Sequence, residues 1–322
     1  MRIGDLTIDL PVILPSLTGY TDRAFRMICR DLGCGYCGTE MLLDKSLLLS
    51  EKLRRRNVQM DEGDHPLSAQ LIGNEPEEMA AAADQLCRMG VDVVDLNFAC
   101  PVRKALSRRR GGYLMKEPQL VLAITRAVIA VADRPVTLKL RRSFSKDDRD
   151  LSALWQILDG AFAAGAAAIC VHSRSVEEKY SGRADWDVLT EAKRRFPKGT
   201  LIGSGDVRTP QSALDMLEET GVDGVAAARG VLGDPWFFRQ VRDLLDGREP
   251  YRPTISDQRE LMRRHFDDAV EVYGPKKGPR IMRKFGIKYA RLHPTPKVVR
   301  VAFVAVKTPE DWHEVLRRHY PD

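Results

Sequence analysis

Cys100 stands in the run Asp95-Leu96-Asn97-Phe98-Ala99-Cys100-Pro101-Val102-Arg103-Lys104. The apolar, β-branched stretch 91–98 reads as a buried strand that opens into a loop at Asn97. A thiol on that loop, next to a rigid proline and two cations, is placed for proton chemistry rather than for filling a core. With a reference pKa near ~8.5 it stays protonated at neutral pH and can donate. Two other segments suit an anion: Gly203-Ser204-Gly205-Asp206 and Ala228-Arg229-Gly230. Their glycines let backbone N–H groups approach a phosphate, and Arg229 can grip it with a forked guanidinium. Gln70, Lys139 and His172 add an amide, a cation and a further donor, the set that a planar, hydrogen-bond-rich ring such as a flavin needs. A lysine at a buried strand end is costly unless compensated, so a bound anion or reducible ring is the partner expected for Lys139. His172 alone would read as a core histidine; its company points to the site.

These residues need a frame that brings them together. Candidate strands cover 12–15, 36–40, 67–72, 91–98, 136–141, 168–172, 201–204 and 224–228. Helical patterns alternate with them at 22–32, 44–55, 76–89, 118–132, 151–164, 186–196, 210–220 and 235–245. Several begin with proline in the first turn and end at a glycine, as at Gly33, Gly90, Gly165 and Gly221. Eight such units predict an α/β fold, a TIM (β/α)8 barrel over 1–250. A doubly wound sheet is the structural rival, but seldom needs eight evenly spaced units. In a barrel the chemistry belongs at the C-terminal strand ends. Those ends carry Ser16, Glu40, Gln70, Asn97 with Cys100, Lys139, His172 with Arg174, Gly205 with Asp206, and Arg229 with Gly230. Beyond 250 the pattern is helical only, near 256–273, 279–291, 296–303 and 309–319, a small all-helical domain over 251–322.

Charge divides at the same place. Residues 1–250 carry 35 Lys+Arg against 36 Asp+Glu, whereas 251–322 carry 16 against 9. The whole excess lies in the tail, the footprint of a polyanion partner; a solvated helical surface is the plainer alternative. No signal-peptide pattern, no apolar run of membrane-spanning length and six scattered cysteines lead to the expectation of a cytoplasmic, monomeric protein without a membrane partner. Cys29, Cys34 and Cys37 have the spacing of plant-type iron–sulfur ligands. No fourth cysteine follows at an obvious interval, so buried thiols and no metal are expected there.

Residues 17–26, 70–73, 97–104, 136–141, 171–174, 203–209 and 229–236, with Tyr180-Ser181-Gly182-Arg183-Ala184-Asp185-Trp186, resemble the tRNA-dihydrouridine synthases. The resemblance covers 10–245 closely and the tail more loosely, through 283–286. It implies an enzyme that uses FMN and NADPH, with NADH as another possible reductant, to reduce the C5–C6 bond of selected uridines in tRNA. By the same resemblance Ser16, Leu17, Thr18, Gln70, Lys139, His172, Ser204, Gly205, Asp206, Ala228 and Arg229 hold FMN. Asn97 and Arg174 orient the extruded uracil, and Cys100 is the general acid. A uracil inside folded RNA must be flipped out to be reached. The chain departs from the family pattern at Ser16-Leu17, Ser204 and Ala228, and most visibly at Ser107-Arg108-Arg109-Arg110-Gly111-Gly112-Tyr113, where a small-residue loop is usual. Consecutive arginines there are hard to bury, and are expected to grip RNA together with Arg103 and Lys104; a solvated loop is the alternative. Lys284 and Lys288 are expected phosphate contacts in the tail. Two rival functions are a flavin-dependent dehydrogenase of a free pyrimidine and a catalytically silent RNA-binding flavoprotein. The basic tail argues against the first, and Asn97, Cys100 and Lys139 together argue against the second.

Overall fold

The computed structural model describes residues 1–49, 51, 58–147 and 150–321. Its strands are β1 (Arg2–Ile3), β2 (Leu6–Thr7), β3 (Val12–Ile13), β4 (Cys37–Gly38), β5 (Leu42–Leu43), β6 (Leu67–Ile72), β7 (Val93–Asn97), β8 (Val136–Arg141), β9 (Ala168–His172), β10 (Leu201–Ser204) and β11 (Gly224–Ala226). The parallel sheet runs β3-β11-β10-β9-β8-β7-β6-β4, with β5 added on β6. A parallel bridge between Leu14 and Cys37 joins the two ends. Leu14 N–H donates to Tyr36 O at 3.0 Å and Gly38 N–H to Leu14 O at 2.8 Å. Only glycine permits that approach: a Cβ on residue 38 would lie 2.8 Å from the Ser16 nitrogen. The eight-stranded α/β barrel read from the sequence is therefore present.

Strand alternation decides what the barrel holds. In β7, Val94 and Leu96 belong to the outer core under the helices, while Val93 belongs to a second cluster inside the barrel. That inner cluster comprises Ile13, Tyr36, Val93, Ala168, Cys170, Ile202 and Ala226, closed from below by Ile3 and Ile8 of the β1–β2 hairpin region. Further along, the inward positions turn polar: Asp95 then Asn97 in β7, Thr137 then Lys139 in β8, and Ser204 after Ile202 in β10. The interior is thus an apolar plug below and a polar mouth above.

One expected strand differs. Of the run 36–40 only β4 is regular strand: Thr39 N–H still bonds Ser68 O at 2.8 Å, Glu40 leaves the sheet line and accepts from Gly19 N–H, and the chain rejoins β6 as β5 beyond the expected run. The second helical pattern is found as Asp44–Leu49; positions 50 and 52–55 of it lie outside the described residues.

The tail folds into helices Ile255–Tyr273, Gly278–Tyr289, Pro296–Val304 and Pro309–His319. Thr254 with Asp257, and Thr308 with Asp311, close reciprocal capping boxes at two of their starts. Phe285 packs against Phe25 and Tyr20, with ring centroids 5.2 and 5.4 Å apart. Tyr273 OH donates to Asp22 at 3.0 Å, and Arg291 reaches Gly230 O at 2.7 Å. The tail therefore sits on loops that border the barrel mouth. Among the described residues no helix is long and apolar enough to cross a membrane.

Candidate active site

A cavity of about 360 Å³ opens at the C-terminal ends of the strands. Ser16, Leu17 and Thr18 line it from the loop after β3, and Gln70, Asn97, Cys100, Lys139 and His172 from β6 to β9 and the loop after β7. Ser204, Gly205 and Asp206 follow after β10, and Ala228 and Arg229 after β11. Residues spread over more than 200 positions are thereby brought to one mouth. Three of them carry a buried polar atom without a hydrogen-bond partner: Ser16 Oγ, Lys139 Nζ and His172 Nε2. Orphaned groups of this kind cost free energy unless a ligand takes them up.

His172 Nδ1 lies 3.1 Å from Ser204 Oγ. Burial, then the charges of Lys139, Arg141, Arg174 and Arg229, push its imidazole well below the usual histidine range. It is neutral at physiological pH, leaving the positive charge at the mouth to Lys139 and the arginines. Asp206, at φ 58°, is their hub. Arg174 bonds it at 2.6 Å and Ala184 N–H at 2.8 Å, while Arg229 stands 3.6 Å away. Burial opposes the ionised form, but the hydrogen bonds from Arg174 and Ala184 outweigh it and hold the carboxyl below its ordinary range. One carboxylate facing several arginines leaves net positive charge for an anion.

Cys100 is half-buried. Burial raises its thiol above the ordinary value, only partly countered by Val102 N–H and the Arg141 charge, so the thiol keeps its proton at neutral pH. Asn97 Oδ1 accepts from both Ala99 and Cys100 N–H at 3.0 Å. Behind the cysteine, Gly112 N–H donates to Cys100 O at 3.0 Å. A Cβ on Gly111, which has φ +57°, would lie 2.8 Å from Cys100 Cβ.

Several expected site residues lie elsewhere. Arg174 is 1% exposed and does not line the cavity; its guanidinium holds Ser181 O at 2.9 Å and Gly182 O at 2.6 Å, fixing the loop that carries Tyr180. The expectation that the arginine loop resists burial fails at Arg110. Arg109 adopts φ 52°, which turns Arg110 inward, where its Nε donates to Asn74 Oδ1 at 3.1 Å. Arg109 stays outside, paired with Glu117 and 5.5 Å from the Tyr113 ring. The cation acting on the Cys100 thiol is Arg141, not this loop. Arg103 and Lys104 are exposed on the short helix Arg103–Leu106. Lys284 Nζ donates to Gly19 O, tying the tail to the first loop, whereas Lys288 is exposed. Cys29, Cys34 and Cys37 are buried; the Cys34 and Cys37 sulfurs are 3.6 Å apart, and Cys34 also bonds Tyr36 O at 3.2 Å.

Residues not singled out from the sequence also line the mouth. Arg141 follows Lys139 by two positions in β8, so alternation alone could have placed it there. Its Nε bonds Ala99 O at 3.1 Å and its Nη1 bonds Ser175 O at 2.9 Å, and burial lowers its pKa to about 10. Tyr180 lies between Arg141 and Arg229, its ring centre 5.6 and 5.2 Å from their guanidinium carbons. Nothing periodic in the sequence marks it.

A (β/α)8 barrel whose polar mouth joins a protonated cysteine to a cationic, glycine-lined cradle is the frame of a barrel enzyme. Residues 13–322 match the family model described as Dihydrouridine synthase. The chain belongs to the dihydrouridine synthase family. It is 34% identical to the tRNA-dihydrouridine synthase B of Xanthomonas campestris pv. campestris, over 99% of this chain and 96% of that one. To the tRNA-dihydrouridine synthase B of Proteus vulgaris it is 32% identical, over 99% and 98%. Among solved structures, a complex of 2-naphthoyl-CoA reductase with 2-naphthoyl-CoA aligns at TM-score 0.59 and 12% identity, over 77% of this chain and 52% of that one. The histamine dehydrogenase of Rhizobium sp. 4-9 aligns at TM-score 0.59 and 13% identity, over 82% and 50%. These two show the shared barrel.

Proposed function

We propose that this protein reduces the C5–C6 bond of uridine in RNA, most specifically in tRNA, with FMN as resident cofactor and NADPH as reductant. The observation that carries the reading is a half-buried, protonated Cys100 at a mouth whose inner wall presents unpartnered Ser16, Lys139 and His172 atoms. Those atoms fit a planar ring rich in acceptors. Lys139 would face its electron-rich edge, and His172 and Ser16 would bond its rim. The glycine cradle at 204–206, the Ala228 backbone and the Arg229 guanidinium would hold its phosphate. Held there and reduced by NADPH, FMN would supply the hydride for uracil C6.

The chain's own residues do the rest. Asn97 fixes the Cys100 backbone, and the thiol proton passes to uracil C5 as the C5–C6 double bond is lost. Tyr180 and Arg141 border the path by which a flipped base enters. The basic tail would hold the RNA. Lys276, Lys277, Arg280 and Lys288 are exposed, whereas Lys284 serves the fold. Replacing those four should flatten the salt dependence of tRNA affinity by about 0.7–0.9 in log–log slope per lost contact. Purified protein should be yellow, bleach with NADPH, and regain colour with unmodified tRNA far faster than with free uridine. Equal turnover of the free nucleoside would favour a small-pyrimidine dehydrogenase. Colourless protein that takes up no added FMN would refute the cofactor.

A further inference from the structure

We propose that Asp95, inside the barrel, sets the direction of a hydrogen-bond chain that holds the Cys100 loop, which makes it a positioning residue for the proton donor. β6 and β7 pair Gln70 with Asp95, and Gln70 Nε2 donates to Asp95 Oδ2 at 2.6 Å. Gln70 Oε1 accepts from Asn97 Nδ2 at 2.6 Å, and the same amide group approaches Met41 Sδ at 3.4 Å. Asn97 Oδ1 then accepts the N–H groups of Ala99 and Cys100, both at 3.0 Å. At the inner end, Thr137 Oγ1 donates to Asp95 Oδ1 at 2.8 Å.

A chain of two amides can run in either sense, because each amide both donates and accepts. An ionised carboxylate only accepts. Asp95 therefore turns the Gln70 NH2 group inward and its oxygen outward. Asn97 must then give its NH2 group to Gln70, which leaves its oxygen for the two loop N–H groups. The reverse sense would set the Asn97 NH2 group against two backbone donors and leave them unpaired, a costly arrangement for half-buried N–H groups. Both ends of the chain thus agree on the orientation of both amides.

Burial pushes the Asp95 carboxyl up to about 6, against the hydrogen bonds from Gln70 and Thr137 and the charge of Lys139. It remains mostly ionised at neutral pH, as the mechanism of orientation requires. The other titratable groups facing the same interior space are Tyr36 and Cys170. The catalytic meaning of Cys100 rests on the function proposed above. The direction of the chain does not, so it can be tested on ligand-free protein.

The test is amide hydrogen exchange on the full chain at pH 7, comparing wild type with T137V, D95N and the double variant D95N/T137V. In T137V the carboxylate still accepts, so Ala99 and Cys100 should stay protected. In D95N the Thr137 hydroxyl can turn to accept the new amide, so the original sense survives in part. In the double variant the Thr137 hydroxyl no longer accepts from that amide, which favours its pairing with Gln70 Oε1 and so the reverse sense. Exchange at Ala99 and Cys100 should then rise by about tenfold or more, with D95N between the two and the β6 and β8 amides unchanged. Alkylation of Cys100 by iodoacetamide should change in the same order. Equal protection in all four proteins would overturn the proposal, as would T137V matching the double variant. Loss of protection throughout the barrel in D95N would also overturn it, by making Asp95 a stabilising residue alone.

Discussion

At its lower end the barrel interior is Ile13, Val93, Ala168 and Ile202 sealed by Ile3 and Ile8; at its upper end the barrel strands present Asn97, Lys139, His172 and Ser204 to a cavity. Only two to four residues, one or two steps of strand alternation, separate the two chemistries. Below, these side chains pack against one another. Above, buried polar atoms on Ser16, Lys139 and His172 lack partners, and Asp206 stands among several arginines. The plug is where stability is stored, and the mouth is where some of it is given up so that a ligand can be held.

That contrast can be broken from either end. The largest effect should come from Cys100→Ala. Uridine reduction should slow by about 10²–10⁴-fold, the usual weight of a positioned proton donor, while flavin reduction by NADPH and the melting temperature stay unchanged. Single-turnover measurement of the two half-reactions separates them. Arg229→Ala should weaken flavin retention by roughly tenfold or more, since charge-assisted hydrogen bonds contribute about 1.5–3 kcal/mol, again with little change in folding. Fluorescence titration of the ligand-free protein reads this directly. Ile3→Ala should do the opposite, costing about 2–5 kcal/mol in urea unfolding and leaving flavin affinity as it was. A plug variant that sheds flavin, or a mouth variant that unfolds, would dissolve the division.

The smallest effect concerns a histidine outside both ends. His265 is fully buried, with Nδ1 2.8 Å from Tyr289 OH and Phe285 at 4.5 Å. Burial, aided by the charge of Lys284, lowers its pKa to about 3. The unfolded chain takes up a proton below about 6.5 and the folded one does not, so stability should fall with pH from there towards 3. The loss should be at most about 1.4 kcal/mol per pH unit, and His265→Gln should remove that share of the slope. Thermal unfolding between pH 7 and 5 measures it. The same slope in the variant would exclude His265 as its source.

Much of the barrel was legible because its helices and strands differ in period and its strand ends differ in composition. Gln70, Asn97, Lys139 and His172 share the inward phase of their strands, so the mouth could be assembled from alternation. Tyr180 and Arg174 sit on a loop without a period, and nothing in the sequence says that Arg174 faces Asp206 rather than the cavity. The arginine loop misled because its fate depends on one backbone angle at Arg109, which sends Arg110 to Asn74. Lys284 read as a surface cation for the same reason: its partner, Gly19 O, lies 265 residues away in sequence. The early end of the 36–40 strand likewise follows from Glu40 being drawn to Gly19, a long-range contact that no local pattern encodes.

Under the proposed function this mouth delivers hydride and proton to uridine in RNA. Mapping dihydrouridine in RNA from cells with the protein, without it, and with Cys100→Ala in its place tests that claim most directly. The account predicts one or more dihydrouridines in tRNA that disappear with the protein, return with wild type and fail to return with Cys100→Ala. An unchanged dihydrouridine map in cells lacking the protein, or full restoration by Cys100→Ala, would contradict it.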